Sequence, residues 1–436
     1  MTQNNRTAPS RPIVTGRPIA QLAQLAQSGK KRGAEPPAPD KEKRLKVLLI
    51  PPPELPVPAV RGGAVETLLT HLLAENERQG KLELTCVSIP DPAAQEQAQA
   101  YRHAKILYVP RPHGHRRYWP MVFVERCCGI DAPYDPWYQK VQLALALERL
   151  IPDRVIAEGG TLTQCSAISR MFGQRKCLAH LHGQTAGSRE MDAIYGGVLA
   201  LSAFIRDDYL KTSELDRRRA FILHNCVDTA RFCPGPADAA LRASLGFAPE
   251  DFVVLFCGRI EPDKGIHKLL EAVAACRRQI RLLIVGSPFF GRSQTSPFLK
   301  RLEAQARALG SRVKFTGFIQ NDSLPAYYRL ADLVCVPTLV EEAAGLVAVE
   351  AMACGRPILA TRSGGMPEYL AGSQAVLVDR SKNVTEQLTW AMDMLQEHPE
   401  LRAEMGRAGA VAAQKFSVAA FYADFVRILT EFGAEP

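Results

Sequence analysis

The sequence lacks the features of several specialised protein classes. None of its apolar runs reaches the roughly 18 residues of a transmembrane helix, and its N-terminus has no apolar segment followed by a cleavage-like site. Its 11 cysteines include no C-x-x-C pair, and Cys86, Cys257, Cys335 and Cys354 lie within apolar runs. These absences predict a cytoplasmic protein without a membrane span or a secretory signal, whose thiols are reduced and buried.

Two further absences concern nucleotide binding. No aspartate is followed two positions later by a second aspartate, so the sequence has no D-x-D motif for a metal-bound nucleotide sugar. The loop Arg61-Gly62-Gly63 lacks the spacing of the G-x-G-x-x-G fingerprint, which argues against NAD. We therefore expect no cofactor and no metal ion.

The net charge of +9 is concentrated at the N-terminus. Residues 1–46 contain ten Lys or Arg and three Asp or Glu, which leaves the rest of the chain close to neutral. A nucleic-acid partner is therefore not expected. Few large apolar residues occur in residues 1–45, so we predict a disordered basic tail there. It is either a solvated leader or a segment that touches anionic lipid or an acidic partner, which would allow peripheral membrane contact.

Short apolar runs separated by helical patterns fill the rest of the chain, whose 436 residues suggest two or three domains. In residues 46–230 the first run is followed by a glycine loop and by a helix with leucines on one face. This order of elements is typical of a doubly wound α/β domain. The predicted strands are 47–50, 84–89, 106–109, 154–157, 177–182, 198–201 and 220–224.

A second series of the same kind follows a composition break at residues 231–240, which we interpret as a linker. Residues 241–415 contain six strand-like runs, and each ends on small or polar residues, where open α/β sheets bind ligands. Residues 416–436 are predicted to form a final helix. The predicted fold class is therefore α/β, with two facing Rossmann-like domains and a cleft between them.

The segment from Glu341 to Pro357 is the most informative in the chain. Glu342 and Glu350 are carboxylates among small, apolar residues, and carboxylates are costly to bury without partners. We expect Glu350 to open a short helix that stops at Gly355. Fixed acceptors beside a helix start suit a hydroxyl-rich ligand that carries phosphate. A solvated loop before an amphipathic helix is the alternative.

Two loops offer groups that bind anions. Arg259 and Lys264 flank a turn after a strand, and both cations can reach one diphosphate, although an ordinary surface turn fits the same residues. Gly62 and Gly63 precede a helix and permit close approach of the backbone to an anion. Without a D-x-D motif, Arg259, Lys264 and backbone amides must neutralise a bound diphosphate.

His180 and His182 lie two residues apart at the end of a strand, so they share one face of the sheet. A metal site needs a third ligand, and none is obvious nearby in the sequence. We favour a hydrogen-bonding role for His182, and a structurally satisfied histidine is the alternative.

Four motifs in this order resemble those of family 4 glycosyltransferases of GT-B architecture. They are His180-Leu181-His182-Gly183; Asn225-Cys226-Val227-Asp228 with Phe232 and Pro234; Gly258-Arg259 with Asp263-Lys264-Gly265; and Glu342 to Pro357 with Gly364-Gly365-Met366-Pro367-Glu368. The resemblance covers about residues 46–432. Residues 54–64 and 286–291 are similar to the bacterial subgroup named after the spore-coat glycosyltransferase SA.

The resemblance implies a role for each site residue. Arg259 and Lys264 would hold the diphosphate of the donor, and Glu350 would accept hydrogen bonds from the ribose hydroxyls. Glu342 and His182 would contact the transferred sugar as the catalytic residues. Backbone groups would complete the donor site. The backbone around Ile319 would contact the nucleotide base, and five further residues would contact phosphate or sugar: Gly62, Gly63, Gly345, Leu346 and Val347. The last helix would return to the first domain.

The implied activity is that of a retaining, metal-independent hexosyltransferase. A sugar would pass from a nucleotide-diphospho-sugar to a glycan, lipid-linked or protein acceptor, in cell-surface or spore-coat glycan synthesis. The protein would be cytoplasmic, at the inner face of the membrane or associated with the spore coat. Two departures stand out. Ala343-Ala344 replaces the usual Ser or Gly followed by Phe, and Cys226 replaces a Gly and would be strained if its φ were positive.

Two other functions fit the same sequence. The basic tail and the spore-coat similarity suggest a non-catalytic coat or scaffold protein, but such a protein is expected to lose donor-site charges, and none is lost. A sugar-nucleotide 2-epimerase shares the architecture and would convert a nucleotide sugar without an acceptor.

Overall fold

The computed structural model describes residues 44–112, 135–160, 162–288, 296–380 and 383–434. They belong to one compact unit that begins at Arg44. The predicted tail of residues 1–45 lies almost entirely outside the described residues, so its disorder and its partners stay predictions.

The first half of the unit is built on a seven-stranded sheet. Its strands are β1 (Leu45–Ile50), β2 (Leu82–Ser88), β3 (Ala104–Tyr108), β4 (Arg154–Glu158), β5 (Cys177–Leu181), β6 (Gly197–Ala200) and β7 (Ala220–Ile222). Their order across the sheet is β3-β2-β1-β4-β5-β6-β7, and every pairing is parallel. The central strands are near-continuous apolar runs because core clusters cover both faces of the sheet.

Helices connect these strands: α1 (Ala64–Gln79), α2 (Pro92–Ala98), α3 (Pro136–Leu147), α4 (Ser166–Phe172), α5 (Arg189–Ile194) and α6 (Ala203–Leu210). The predicted leucine face of α1 is buried. Side-chain oxygens of Asp91, Asp135, Ser188 and Ser202 accept hydrogen bonds at the starts of α2, α3, α5 and α6. These caps satisfy amide groups that the first helical turn leaves without partners.

The second half is built on a six-stranded parallel sheet. Its strands are β8 (Phe252–Cys257), β9 (Ile280–Val285), β10 (Val313–Gly317), β11 (Leu333–Val336), β12 (Ile358–Thr361) and β13 (Val376–Val378). Their order is β10-β9-β8-β11-β12-β13. The helices are α7 (Ala239–Ser244), α8 (Ile266–Ala275), α9 (Pro297–Arg307), α10 (Leu324–Leu330), α11 (Leu346–Ala353), α12 (Met366–Tyr369), α13 (Val384–Glu397) and α14 (Pro399–Ala413).

The last helix, α15 (Val418–Ala434), packs against the first half of the unit. Its buried aromatic residues share a core cluster with the leucines of α1. The Tyr422 hydroxyl donates to Oδ1 of Asn76 at 2.6 Å, and Nε of Arg154 donates to the carbonyl of Leu429 at 3.1 Å. The chain therefore crosses back to its first sheet after completing the second.

The two sheets confirm the predicted fold class. Each predicted strand lies within two residues of the observed ends. Both sheets have the 3-2-1-4-5-6 strand order of doubly wound folds, which bind ligands beyond the carboxyl ends of their central strands. The domain limits at 46–230, 231–240, 241–415 and 416–436 stay predictions. None of the helices in the described part of the chain is long and apolar enough to span a membrane.

Candidate active site

The loops that follow the central strands carry the predicted site residues. In the first sheet β1, β4 and β5 are neighbours, and their ends lead to the Gly62–Gly63 loop, to Glu158 and to His182. In the second sheet the ends of the neighbouring strands β8 and β11 lead to Lys264 and Glu342. Because parallel strands end at one edge of a sheet, the fold gathers residues that are distant in the sequence.

The Gly62–Gly63 loop has a left-handed backbone that glycine favours. The φ angle is 78° at Gly62 and 100° at Gly63, and a Cβ atom at Gly63 would overlap the carboxylate of Glu66. Glu66 is 4% exposed in the first turn of α1. Burial raises its pKa, although its own backbone N–H donates to it and opposes the shift. A side chain at Gly63 would therefore displace this buried carboxyl group.

Glu158 joins His180 and His182 in a buried hydrogen-bonded cluster. Its Oε2 lies 2.7 Å from Nδ1 of His180 and 2.9 Å from Nε2 of His182. The side chains of Glu158 and His180 are 2% and 1% exposed, whereas that of His182 is 15% exposed. The ring centroids of the two histidines are 4.1 Å apart. His182 is therefore the member of the cluster that a ligand can reach.

The expectation that no third potential metal ligand lies near His182 was wrong. Strand pairing places Glu158 beside His180, and sequence spacing alone does not show which strands pair. Within the described ranges, Glu158, His180 and His182 are the one group of three whose potential ligand atoms all lie within 4.8 Å of one another. In that group, Nδ1 of His180 and Nε2 of His182 are each hydrogen-bonded to the carboxylate of Glu158. A glutamate at the end of an apolar run, before Gly159-Gly160, was the available sequence signal.

The surroundings of Glu158 and His182 decide the charge on each of them near neutral pH. Burial raises the pKa of Glu158, but the two imidazoles that donate hydrogen bonds to it outweigh burial and hold the pKa below its ordinary value. Burial and the neighbouring His180 lower the pKa of His182, although Glu158 opposes this shift. Glu158 is therefore ionised and His182 is neutral.

The two predicted phosphate-binding cations have different partners. Nζ of Lys264 lies 2.7 Å from Oε1 of Glu342 and 3.8 Å from Oδ2 of Asp263. The side chains of Lys264 and Glu342 are each 21% exposed. Arg259 has a 54% exposed side chain and forms a 2.8 Å salt bridge with Glu261. The structure thus joins one predicted donor-binding cation to a predicted catalytic carboxylate, and it leaves most of Arg259 exposed.

Backbone hydrogen bonds fix the loop that carries Glu342. The amide of Leu339 donates to the carbonyl of Asp263 at 2.7 Å, which ties the loop after β11 to the turn that carries Lys264. The amide of Glu342 donates to Oγ of Ser363 at 2.9 Å. The carbonyl of Glu342 accepts from the amide of Gly365 at 2.8 Å. These bonds hold the backbone of the Glu342 loop beside the turn that carries Lys264 and beside the loop after β12.

The neighbouring Glu341 has a structural role. Its carboxylate accepts hydrogen bonds from the guanidinium of Arg380 and from the amide of Gly364. Gly364 lies in the loop after β12 and has a φ of 45°. The adjacent Glu341 and Glu342 thus have different partners. Glu341 binds a neighbouring loop, and Glu342 faces Lys264.

The expectation that Glu350 opens a helix was wrong, because α11 begins at Leu346 and Glu350 lies in its middle. Gly345, with a φ of 77°, ends the preceding loop, and helical geometry starts at the next residue. A Cβ atom at Gly345 would lie 2.6 Å from the sulfur of Met366. The first amides of α11 have no acceptor within the helix and can bind an anion.

Glu350 is held by one hydrogen bond. The hydroxyl of Tyr328, a fully buried side chain on α10, donates to its Oε2 at 2.7 Å. Burial raises the pKa of Glu350 to about 7, and the Tyr328 hydroxyl and the charge of Arg231 oppose this shift. Its Oε1 forms no hydrogen bond with the residues that the structure describes. One carboxylate oxygen is therefore available to a ligand.

Three further residues were predicted to contact a donor through their backbone. The side chains of Ile319, Leu346 and Val347 pack against the core of the second sheet. Ile319 follows the end of β10 by two residues. The side chains at these positions thus belong to the core, and contact of their backbone with a donor stays a prediction.

The two departures from the family pattern fit the structure without strain. The carbonyl of Ala343 accepts a 2.9 Å hydrogen bond from Oγ of Ser202. Ala344 is 6% exposed and belongs to the core of the second sheet. Among the residues that the structure describes, the non-glycine positions with positive φ are Arg149 and Gln374, so Cys226 does not have the strained backbone that its position suggested.

Other contacts join the two halves of the chain beside this site. Glu368 of α12 accepts a 2.7 Å hydrogen bond from the amide of Ala203 and lies 2.7 Å from Nε2 of His224. The hydroxyl of Tyr369 donates to the carbonyl of Leu201 at 2.8 Å and accepts from the amide of Asn225 at 2.9 Å. The Glu342 loop and α12 are therefore anchored to the first half.

Comparison with known families finds a match in the second half of the chain. Residues 238–411 match the family described as Glycosyl transferases group 1. This range contains β8 to β13 and the residues Arg259, Lys264, Glu342 and Glu350. The predicted donor-binding residues of the second sheet therefore lie within the matched region.

The chain is also similar, over part of its length, to proteins named as glycosyltransferases. It is 37% identical over 224 residues to the D-inositol 3-phosphate glycosyltransferase of Mycolicibacterium smegmatis, which covers 50% of each protein. It is 33% identical over 222 residues to the lipopolysaccharide 1,2-N-acetylglucosaminetransferase of Salmonella typhimurium, which covers 50% of this chain and 57% of the relative. The chain thus spans about half the length of the curated relatives that it matches.

Solved structures resemble nearly the whole described fold. Anabaena Alr3699/HepE in complex with UDP superposes with a TM-score of 0.68 at 23% identity and covers 89% of this chain and 100% of its own. A glycosyltransferase from Rickettsia africae gives a TM-score of 0.71 at 16% identity, with 90% and 100% covered. At these identities the likeness shows the fold. Residues 238–411 are therefore similar to the glycosyl transferases group 1 family, within a chain that has the GT-B fold.

Proposed function

We propose that the protein is a retaining glycosyltransferase that moves a hexose-type sugar from a nucleotide-diphospho-sugar to a hydroxyl group without a metal ion. The observation that carries this proposal is the salt bridge between Lys264 and Glu342 at the carboxyl ends of β8 and β11. It places a cation for a diphosphate next to a carboxylate that can accept hydrogen bonds from sugar hydroxyls.

The donor binds along the carboxyl edge of the second sheet. Lys264 and Arg259 neutralise its diphosphate, and the amides of residues 345–347 at the start of α11 donate hydrogen bonds to phosphate oxygens. Oε1 of Glu350 accepts a hydrogen bond from a ribose hydroxyl. The base lies against the backbone of Ile319.

The transferred sugar lies between the two sheets. Glu342 contacts it from the second sheet and His182 from the first, and the backbone of Gly62 and Gly63 approaches the sugar or the phosphate. These residues hold C1 of the sugar close to the acceptor oxygen, so a reaction between two molecules becomes a reaction within one complex.

The reaction exchanges one bond at C1 for another. The bond from C1 to the diphosphate oxygen breaks, and the acceptor oxygen forms a new bond to C1 on the same face, which retains the configuration. The proton of the acceptor hydroxyl passes to the departing diphosphate oxygen. Lys264 and Arg259 stabilise the negative charge that develops on the diphosphate.

Similar proteins support a nucleotide-sugar donor. Anabaena Alr3699/HepE was crystallised with UDP and with UDP-glucose, so UDP-sugars are the first donors to test. The acceptor is a glycan, a lipid-linked or a protein hydroxyl. The subgroup similarity in residues 54–64 supports a role in cell-surface or spore-coat glycan synthesis, with the enzyme in the cytoplasm or at the inner face of the membrane.

A thermal-shift titration tests the donor site first. UDP, GDP, ADP and their common sugar conjugates are each added with and without EDTA. We expect the nucleotides of one base to raise the melting temperature, because a ligand that binds only the native state stabilises it. We expect EDTA to leave that shift unchanged. A shift that EDTA removes would overturn the metal-free site.

A transfer assay with the same donors and a panel of acceptors then tests the reaction. We expect transfer, or slow donor hydrolysis when no acceptor fits. No shift and no reaction with any donor would overturn the proposed function and favour the scaffold alternative. An epimerised nucleotide sugar formed without an acceptor would favour the epimerase.

A further inference from the structure

We propose that Glu158 is a positioning residue for His182: it binds the Nε2–H group of the ring and thereby presents Nδ1 to the ligand as a hydrogen-bond acceptor. The sugar contact in this inference rests on the proposed function. The orientation of the ring rests on the cluster of Glu158, His180 and His182 alone.

One carboxylate oxygen of Glu158 binds both rings. Its Oε2 lies 2.7 Å from Nδ1 of His180 and 2.9 Å from Nε2 of His182. A carboxylate oxygen can only accept in these two bonds, so each of the two ring nitrogens carries a hydrogen. The neutral His182 ring therefore has the Nε2–H form, and Nδ1 of His180 also carries a hydrogen.

The remaining nitrogens of the two rings differ in their surroundings. Nε2 of His180 is buried and has no hydrogen-bond partner among the residues that the structure describes. Nδ1 of His182 forms no hydrogen bond with the described residues either, but it is not among their buried, unpaired atoms. Since the His182 side chain is 15% exposed, its Nδ1 is the one polar ring atom of this cluster that can receive a hydroxyl group.

Packing also limits the movement of the His182 ring. A Cβ atom at Gly159 would lie 3.0 Å from Cδ2 of His182, and Gly159 has a φ of 62°. The ring of His180 packs against that of His182 at an angle of 45° between their planes. Glu158 thus binds Nε2 of a ring that packs against His180, and its hydrogen bond directs Nδ1 away from the carboxylate.

The buried position of Glu158 suits a positioning role better than direct contact with the substrate. Its side chain is 2% exposed, so an acceptor or donor sugar reaches His182 and not the carboxylate. Because the carboxylate is ionised and His182 is neutral, its hydrogen bond from Nε2–H is charge-assisted and stronger than a bond between neutral groups.

Imidazole NMR of histidine-labelled protein tests the ring forms without any activity. We expect the neutral Nε2–H form of His182 and a hydrogen on Nδ1 of His180 at neutral pH, with nine histidines in the chain to assign. His182 found as Nδ1–H or as imidazolium would overturn the inference. Stoichiometric zinc in the purified protein, with both rings coordinated through these same nitrogens, would also overturn it.

A double-mutant cycle tests the function of the contact. We expect Glu158→Gln to lower turnover roughly tenfold to a hundredfold through misplacement of His182, and to leave the affinity for the nucleoside diphosphate unchanged. In a His182→Ala background the same substitution is expected to change turnover less than about twofold, because residues that act through one contact are not additive. Equal losses in both backgrounds would overturn the positioning role.

Glu75→Gln is the matched control, since Glu75 is another buried carboxylate of the first half and pairs with Arg78 on α1. We expect it to leave turnover unchanged. Should Glu158→Gln fail to fold, Gly159→Ala places a Cβ atom 3.0 Å from Cδ2 of His182 and is expected to lower turnover without weakening binding of the nucleoside diphosphate. If no donor reacts with the wild-type protein, the proposed function fails, and the NMR result still decides the orientation of His182.

Discussion

Lys264 and Glu342 form a 2.7 Å salt bridge although 78 residues separate them in the sequence. Strands β8 and β11 are neighbours in the second sheet, and a hydrogen bond from the Leu339 amide to the Asp263 carbonyl ties their loops together. In the free protein each charge neutralises the other. Under the proposed function we expect a bound diphosphate to compete with Glu342 for Lys264, and donor binding to rearrange this pair.

Lys264→Met is expected to weaken binding of the nucleoside diphosphate roughly tenfold to a hundredfold, the usual loss when a hydrogen bond to a charged group is removed. Isothermal titration calorimetry measures the affinity. Lys268→Met is the control, because Lys268 lies one turn further along on α8 and pairs with Glu271 at 2.8 Å. Equal affinities for both variants would show that Lys264 does not hold the phosphate.

Glu342→Ala is expected to change the affinity for the nucleoside diphosphate and the turnover in different ways. Removal of the carboxylate frees Lys264, so the affinity for the nucleoside diphosphate stays equal or rises, whereas turnover falls at least tenfold because a sugar contact is lost. Steady-state kinetics with calorimetry check both quantities. A variant that keeps wild-type turnover would remove Glu342 from the site, and a melting temperature far below that of the wild type would point to a structural role.

Local sequence patterns were enough to predict the positions of the strands. A parallel strand covered on both faces is a near-continuous apolar run, and such runs predicted every strand to within two residues. The helix that carries Glu350 was placed too late, because the left-handed Gly345 allows helical geometry to begin at Leu346. A glycine before an apolar run permits either start, so the sequence alone did not decide between them.

Contacts between strands could not be predicted in the same way. Glu341 and Glu342 have the same sequence context, and the loops around them decide that the first binds Arg380 and the second Lys264. Glu158 was missed for a similar reason, since its link to His180 exists only when β4 pairs with β5. The resemblance supplied the remaining roles, which single-residue patterns do not encode.

Donor affinity is expected to rise with pH because of Glu350. Burial raises the pKa of this carboxyl group to about 7, so at pH 6 it is mostly protonated and offers weaker acceptors to ribose hydroxyls than the carboxylate present at pH 8. Calorimetry with a sugar nucleotide, whose diphosphate does not titrate in this range, measures the change. Glu350→Gln is expected to remove the pH dependence, and an unchanged dependence in that variant would assign it to another group.

The same group has an opposite effect on the stability of the free protein. Its folded-state pKa of about 7 lies above the ordinary value of 4.5, so the folded state holds a proton that the unfolded state releases. Its contribution is present below pH 4.5 and is lost as the pH rises through 7. Relative to Glu350→Gln, the wild-type protein is expected to lose stability between pH 5 and 8. Melting curves at several pH values check this sign, and parallel curves would contradict it.

Tyr369→Phe is expected to lower the free energy of unfolding by about 2 kcal/mol, because it leaves two buried backbone groups without a partner. The hydroxyl that it removes accepts from the amide of Asn225 and donates to the carbonyl of Leu201, both in the first half of the chain. The side chain is fully buried, so water cannot replace the hydroxyl. Chemical denaturation measures the loss.

Tyr327→Phe provides the comparison for this substitution. Tyr327 lies on α10, and its hydroxyl forms no hydrogen bond with the residues that the structure describes, so we expect its removal to cost little. Because α12 follows the loop that pairs with Glu342, Tyr369→Phe is also expected to loosen the anchoring of that loop and to lower turnover, whereas Tyr327→Phe leaves turnover unchanged. Equal free energies of unfolding for the two variants would show that the Tyr369 hydroxyl does not hold the halves of the chain together.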